Sequence, residues 1–257
     1  MKKLCAITVL TLLAACGGGG GSGSSTTPPV QNASPGGIWQ GTDSVTGLQV
    51  TGIVDEGGEG HFIRSDGVQF VGTVETSGNN FSAQIEGYTQ FGTTFPDGST
   101  SGSGSVTGTI DQRVSITATT QFTTAGGTTT NGTLDLTFDS LYSAGSSLAT
   151  IAGSYNYTTS NGGVLITISA DGAVSAQDPN TGCVVSGTVS IIDSSYNAYQ
   201  VQLTYSSCLG TAGALDGIEF SGLLTYDNTV SPAVIYAGVT GSGGGTTYAI
   251  VYKLTAV

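Results

Sequence analysis

Gly67-Val68-Gln69-Phe70-Val71-Gly72-Thr73-Val74 returns downstream as Gly182-Cys183-Val184-Val185-Ser186-Gly187-Thr188-Val189, an offset of 115 residues. Each copy enters on glycine and runs through β-branched and apolar residues, which is how a strand leaving a tight turn reads. Other matches keep the same order. Ile53 to Gly57 falls on Ile168 to Gly172 at the same offset, Asn80-Phe81 through Tyr88 falls on Asn197-Ala198 through Tyr205 at 117, and Gly108 falls on Gly222 at 114. Trp39 answers to Tyr155. A composition rich in Gly and Thr inflates single matches but not their shared order, so the chain reads as one unit used twice. The units span 36–140 and 153–257, with 141–152 as the linker between them; Asp139 to Ala152 is the one stretch with loosely helical spacing.

Outward from the repeat, short runs rich in Val, Ile, Thr, Tyr and Phe alternate with Gly, Asp-Gly, Asn-Gly and Ser-Gly turns. That pattern predicts an all-β chain. In the second unit the strands fall at about Gly153 to Thr158, Val164 to Ala170, Ala173 to Gln177, Cys183 to Ile192, Ala198 to Ser206, Ile218 to Tyr226, Ala233 to Thr240 and Thr246 to Leu254. Eight strands joined by short connections favour a closed antiparallel, lipocalin-like barrel, its interior filled by side chains or holding one small ligand. Closure also removes the sheet edges that promote aggregation. A two-sheet sandwich is the alternative.

The first residues carry an address. Lys2 and Lys3 precede the apolar run Leu4 to Leu12, which is too short to span a bilayer and ends at Leu13-Ala14-Ala15-Cys16. Residues 1–15 read as a signal peptide. The tetrapeptide resembles the lipobox of bacterial lipoproteins, which implies cleavage before Cys16, transfer of a diacylglycerol to its thiol, and further acylation, palmitate being the typical chain. Two or more chains anchor stably where one does not. Residues 16–35, opening with Gly17 to Gly21, offer almost nothing to bury and read as a flexible tether. A glycine run behind a lipobox resembles surface lipoproteins of diderm bacteria, and Gly17 is not the aspartate tied to inner-membrane retention, so the expected location is the cell envelope, at the outer membrane. With the strand count, these features resemble the small barrel lobes of the transferrin-binding protein B and factor H-binding protein families. Those lobes hold host proteins. The likeness implies a partner protein as one candidate occupant and carries no site residues.

Cleavage leaves three cations, Arg64, Arg113 and Lys253, against 17 acidic residues, a net charge of −14. Such a surface has no electrostatic means of holding phosphate backbones, which excludes nucleic acid as a partner and leaves the lipid as the membrane contact. Cys5 departs with the leader and Cys16 is modified, so Cys183 and Cys208 remain for a disulfide in an oxidising compartment. If the intervening turn centres on Ser195-Tyr196, the two cysteines face each other across a hairpin.

Catalytic and metal signals are thin. Asp55-Glu56-Gly57-Gly58-Glu59-Gly60-His61, with Asp66 beyond, has the oxygen density of a calcium site and a histidine for a transition metal, yet it matches no calcium-loop spacing and has the composition of a solvated hairpin turn. The turn is the expectation, with no metal or cofactor. Serine hydrolysis would have to recruit His61, the single histidine, and no Gly-x-Ser-x-Gly elbow precedes a helix. Trp39 and the tyrosines read as barrel core before they read as a sugar platform. The first expectation is a non-catalytic, lipid-anchored binding protein for a partner protein, glycan or small ligand. A carboxylate-dependent hydrolase and a structural spacer are the alternatives. A hollow barrel favours the ligand, two facing carboxylates in a cleft the hydrolase, and filled barrels the spacer.

Overall fold

The computed structural model describes residues 31–159 and 162–257. The leader, Cys16 and the tether up to residue 30 lie outside the described residues. The described chain is all-β and forms two closed antiparallel eight-stranded barrels in tandem. The first is built from β1 (Gly37–Asp43), β2 (Gln49–Val54), β3 (Glu59–Arg64), β4 (Gln69–Thr73), β5 (Glu75–Ser77), β6 (Asn80–Tyr88), β7 (Ser101–Asp111), β8 (Ser115–Thr124) and β9 (Thr129–Asp139). β4 and β5 pair with β6 in one continuous register, Gln69 opposite Tyr88 and Ser77 opposite Asn80. They are therefore a single strand interrupted at Val74, and its pairing with β6 closes the ring. The one-turn helix α1 (Leu148–Ile151) precedes the second barrel. That barrel comprises β10 (Gly153–Thr159), β11 (Gly162–Ile168), β12 (Ala173–Gln177), β13 (Val184–Ile191), β14 (Tyr199–Ser206), β15 (Glu219–Asp227), β16 (Val234–Gly243) and β17 (Thr246–Ala256), sealed by β10 against β17.

The repeated octapeptide explains itself in both barrels. At its end, Val74 donates its N–H to Gly58 O and Val189 donates to Gly172 O, each at 2.8 Å. Both glycines sit at positive φ, +90° and +88°, and a Cβ on either would collide with the carbonyl of the same valine. Only glycine provides that backbone conformation and that approach together. The ring donors that open each barrel also correspond. Trp39 Nε1 donates to Pro35 O at 3.1 Å and Tyr155 Oη to Ile151 O at 2.6 Å, each reaching four residues back to tie its first strand to the preceding segment.

Strand faces follow the period of two. Along β6, Phe81, Ala83 and Ile85 are buried while Asn80, Ser82, Gln84 and Glu86 are exposed. Apolar residues point inward and polar ones outward, the reverse of a membrane-spanning barrel. Among the described residues no helix is long and apolar enough to cross a membrane.

Alternation fails where the barrels meet. The start of β1 and much of β2 and β3 bury both faces, because Ile38, Ile53 and Ile63 point out of the first barrel onto the second. Ile38 and Ile53 pack with Tyr142, Ala198 and Leu223 in a core of their own. Beside it, Gln69 Nε2, fully buried, donates to Val239 O (3.3 Å) and Ile250 O (3.0 Å) of the second barrel. The loop after β6 joins in: Phe91 N–H donates to Ala249 O, and Val251 N–H to Gln90 Oε1 at 2.7 Å. Each large aliphatic side chain buried here stabilises the docked state by about 1.5–3 kcal/mol at most. The linker is fastened as well. Tyr142, in a 3₁₀ turn over Ser140–Ala144, stacks on Tyr196 with ring centres 4.8 Å apart and donates to Glu56 Oε1 at 3.2 Å. Residues 31–257 accordingly form one compact unit.

Candidate functional site

The interiors of the two barrels differ. In the second, aromatic rings fill the inward positions: Tyr155, Tyr199, Tyr205, Phe220 and Tyr252 are all buried, and the hydroxyls of Tyr205 and Tyr252 bond to each other at the centre. In the first, several inward positions are glycine, and larger neighbours lie over them: a Cβ on Gly41 would meet Asp135 O and the Leu136 side chain, one on Gly52 the Phe62 ring, and one on Gly87 the Phe122 ring. What remains is a cavity of about 320 Å³, walled by Phe62, Phe70, Phe81, Val106, Phe122 and Leu134 among others. That lies at the small end of the range for ligand pockets and corresponds to the liquid volume of about ten waters.

The cavity has a closed end and a mouth. At the closed end Trp39, Val54, Ile110 and Ile116 are buried, and the chain itself forms a plug. Ala33 N–H donates to Gly78 O, Gly78 N–H donates to Asn32 Oδ1, and Ser34 Oγ donates to Glu56 Oε2 at 2.5 Å. Residues 32–35, which read as the end of the tether, are thus fastened to the barrel. The other end is rimmed by Asp43, Val45, Thr46, Pro96, Asp97 and Thr128. Phe95 leans in from the β6–β7 loop and meets Phe122 with ring centres 5.6 Å apart.

Arg64 is the cation in the wall. It belongs to the inward set of β3 with Gly60 and Phe62, its side chain is only 12% exposed, and its guanidinium sits 6.0 Å from the Phe70 ring centre. All three of its nitrogens have carboxylate partners: Nη1 donates to Asp43 Oδ2 at 3.1 Å, while Nε and Nη2 clasp both oxygens of Asp66 at 2.9 and 2.8 Å. Burial raises the pKa of Asp66, but the hydrogen bonds and charge of Arg64 outweigh it and hold the carboxyl below its ordinary value. Asp97 is held well below its ordinary value by hydroxyl donation, chiefly from Thr124 and then Ser99. Of the charged groups that line the cavity, two carboxylates, Asp43 and Asp97, stand against one guanidinium and leave the mouth acidic.

Cys183 and Cys208 are bonded, their Cα atoms 4.1 Å apart where β13 and β14 part. The acidic run is split along β3. Asp55 to Gly58 form its entry turn, where Asp55 Oδ1 accepts from Glu59 N–H at 2.8 Å and burial raises the Asp55 pKa. Asp66 lies at the far end. His61 points outward, buried in the seam between the barrels, with Nε2 3.7 Å from Glu59 Oε1; the nearby imidazole lowers the Glu59 pKa. Among the described residues no three His, Cys, Asp or Glu side chains gather to hold a metal. Sequence reasoning passed over Arg64, Asp43, Asp97 and the lumen glycines. The available signal was phase, since Arg64 shares the parity of Phe62.

No protein-family model and no curated protein sequence matches the chain. The functional reading therefore rests on the geometry of the lumen.

The charged groups around the lumen are already committed to one another. Asp43 and Asp66 are clamped by one arginine, Asp97 is locked in its ionised form by hydroxyls, and His61 is turned away from the lumen. A general acid needs a carboxyl whose pKa is raised next to a substrate cleft, whereas Asp66 and Asp97 are shifted down.

Proposed function

We propose that the protein is a lipid-anchored envelope protein whose first barrel binds a small, largely apolar molecule in its lumen, without turning it over. The observation that carries this reading is the apolar cavity of about 320 Å³ in one barrel, beside a homologous-looking barrel packed with tyrosine. Interiors pack to crystal-like density, and a void of this size forfeits contacts that filling would recover, so a barrel that keeps one is suited to an occupant. The second barrel serves as the scaffold that holds the first. The lipobox at Cys16 and the glycines behind it support attachment to a membrane through acyl chains.

Binding is tested by titrating apolar probes into the full chain carrying Cys16→Ser, purified without detergent, with Val106→Phe as the blocked form. Val106 lines the lumen and is half-buried, so a phenyl ring there enters empty space. Val106→Phe should fold, seen by circular dichroism, and lose probe binding by calorimetry. Equal binding by the two forms sinks the lumen reading. Fractionation tests the anchor: the Cys16→Ser chain should leave the membrane fraction, and its retention there overturns the lipoprotein reading.

A further inference from the structure

Resting on that reading, the charges around the lumen narrow the ligand to one chemical class. We infer that the first barrel takes an apolar molecule whose polar end donates hydrogen bonds, an amine or an alcohol, and discriminates against the matching carboxylate.

Arg64, the cation of the wall, is where an anionic head would have to dock. Its Nε and one N–H of each Nη already serve Asp43 and Asp66, and these two carboxylates outweigh its single charge, so a ligand carboxylate that reaches for the remaining N–H groups approaches a cluster that is negative overall. The remaining charged group of the rim is Asp97, exposed on the β6–β7 loop beside Pro96. The other two cations are elsewhere. Arg113 Nη2 contacts Glu56 at the closed end, and Lys253 stands in an outer crevice with Asp66 rather than in the lumen. The other polar groups of the cavity are threonine hydroxyls, Thr120, Thr124, Thr128, Thr130 and Thr133, which accept from an amine or alcohol as readily as they donate. An entering head therefore meets hydroxyls that can accept and a surplus of negative charge, and the one cation that lines the cavity is already paired with two carboxylates.

Decylamine, decanol and decanoate share a chain and differ only in the head. Titrated into the detergent-free Cys16→Ser chain at neutral pH, the amine should bind tightest and the alcohol next, with decanoate weaker by about tenfold or more. Trp39, the single tryptophan, lies at the closed end and reports entry by its fluorescence. Asp97→Asn should shrink the gap between amine and carboxylate while leaving decanol unchanged. Val106→Phe should abolish all lumen binding, which separates it from adsorption of the amine to an acidic surface. Decanoate binding as tightly as decanol overturns the inference and leaves lumen binding standing. Binding of the amine that survives Val106→Phe also overturns it. If none of the three binds, the lumen reading falls and the inference falls with it.

Discussion

Arg64 shows how one side chain can settle both the stability and the selectivity of a barrel end. A guanidinium held at 12% exposure needs partners, and Asp43 and Asp66 supply them from the β1–β2 and β3–β4 turns, so the clamp ties two turns across the mouth. The pKa of Asp66 in the folded chain lies below its ordinary value. Its contribution to stability is complete above the unfolded value of about 3.9 and is lost as pH falls through the lower folded value. We therefore expect the chain to lose stability on acidification below about pH 4. Asp66→Asn should be less stable at neutral pH and show a flatter acid limb. Denaturant midpoints measured across that range check both, and a limb of unchanged slope in Asp66→Asn removes the linkage.

Among the elements, the β13–β14 hairpin is the one with a covalent staple. Cys183 and Cys208 are 25 residues apart in sequence, and closing a loop of that length restricts the unfolded chain by about 3–4 kcal/mol on the chain-entropy estimate. Replacing both by alanine should cost about that much, less any relaxation of the native state, with strand content retained by circular dichroism. A loss under about 1 kcal/mol would place the staple's effect elsewhere than in the unfolded chain.

The strands of the second barrel were legible in the sequence to within a few residues, because a strand with one wet face shows its parity, as in Val164, Ile166 and Ile168 of β11. The cysteines could be paired because only two remain once Cys5 and Cys16 are set aside, and both belong to one hairpin. β2 and β3 were legible as strands but not as an interface: Ile53, His61 and Ile63 look like ordinary interruptions of an alternating pattern until a second barrel is placed against them. The inward glycines of the first barrel were hidden for a related reason. Gly41, Gly52 and Gly87 look like the other glycines of a glycine-rich chain until register assigns them all to the inside.

At the scale of the whole molecule, two closed barrels could melt as independent bodies, but the seam argues otherwise. It buries Ile38, Ile53 and Leu223 almost completely and carries the Gln69 hydrogen bonds into the β16–β17 ladder. The full chain should unfold in one calorimetric transition, with the calorimetric and van't Hoff enthalpies in agreement. Leu223→Asp, which places a charge in the seam without touching either lumen, should split that transition in two. Two resolved transitions in the unsubstituted chain would show the barrels to be energetically separate.

The pin between Gln90, Phe91 and β17 has a kinetic consequence. Phe95, Pro96 and Asp97 hang over the mouth on a loop whose base is bonded to Ala249 and Val251 of the neighbouring barrel. The filled barrel thus acts as the door frame of the hollow one, and how long an occupant stays is governed by a contact remote from the occupant itself. Gln90→Ala should speed both entry and escape of decylamine in stopped-flow traces by a similar factor, shortening residence while leaving the equilibrium constant nearly unchanged. A change in affinity with unaltered escape rate would mean that the loop touches the ligand instead of timing its passage.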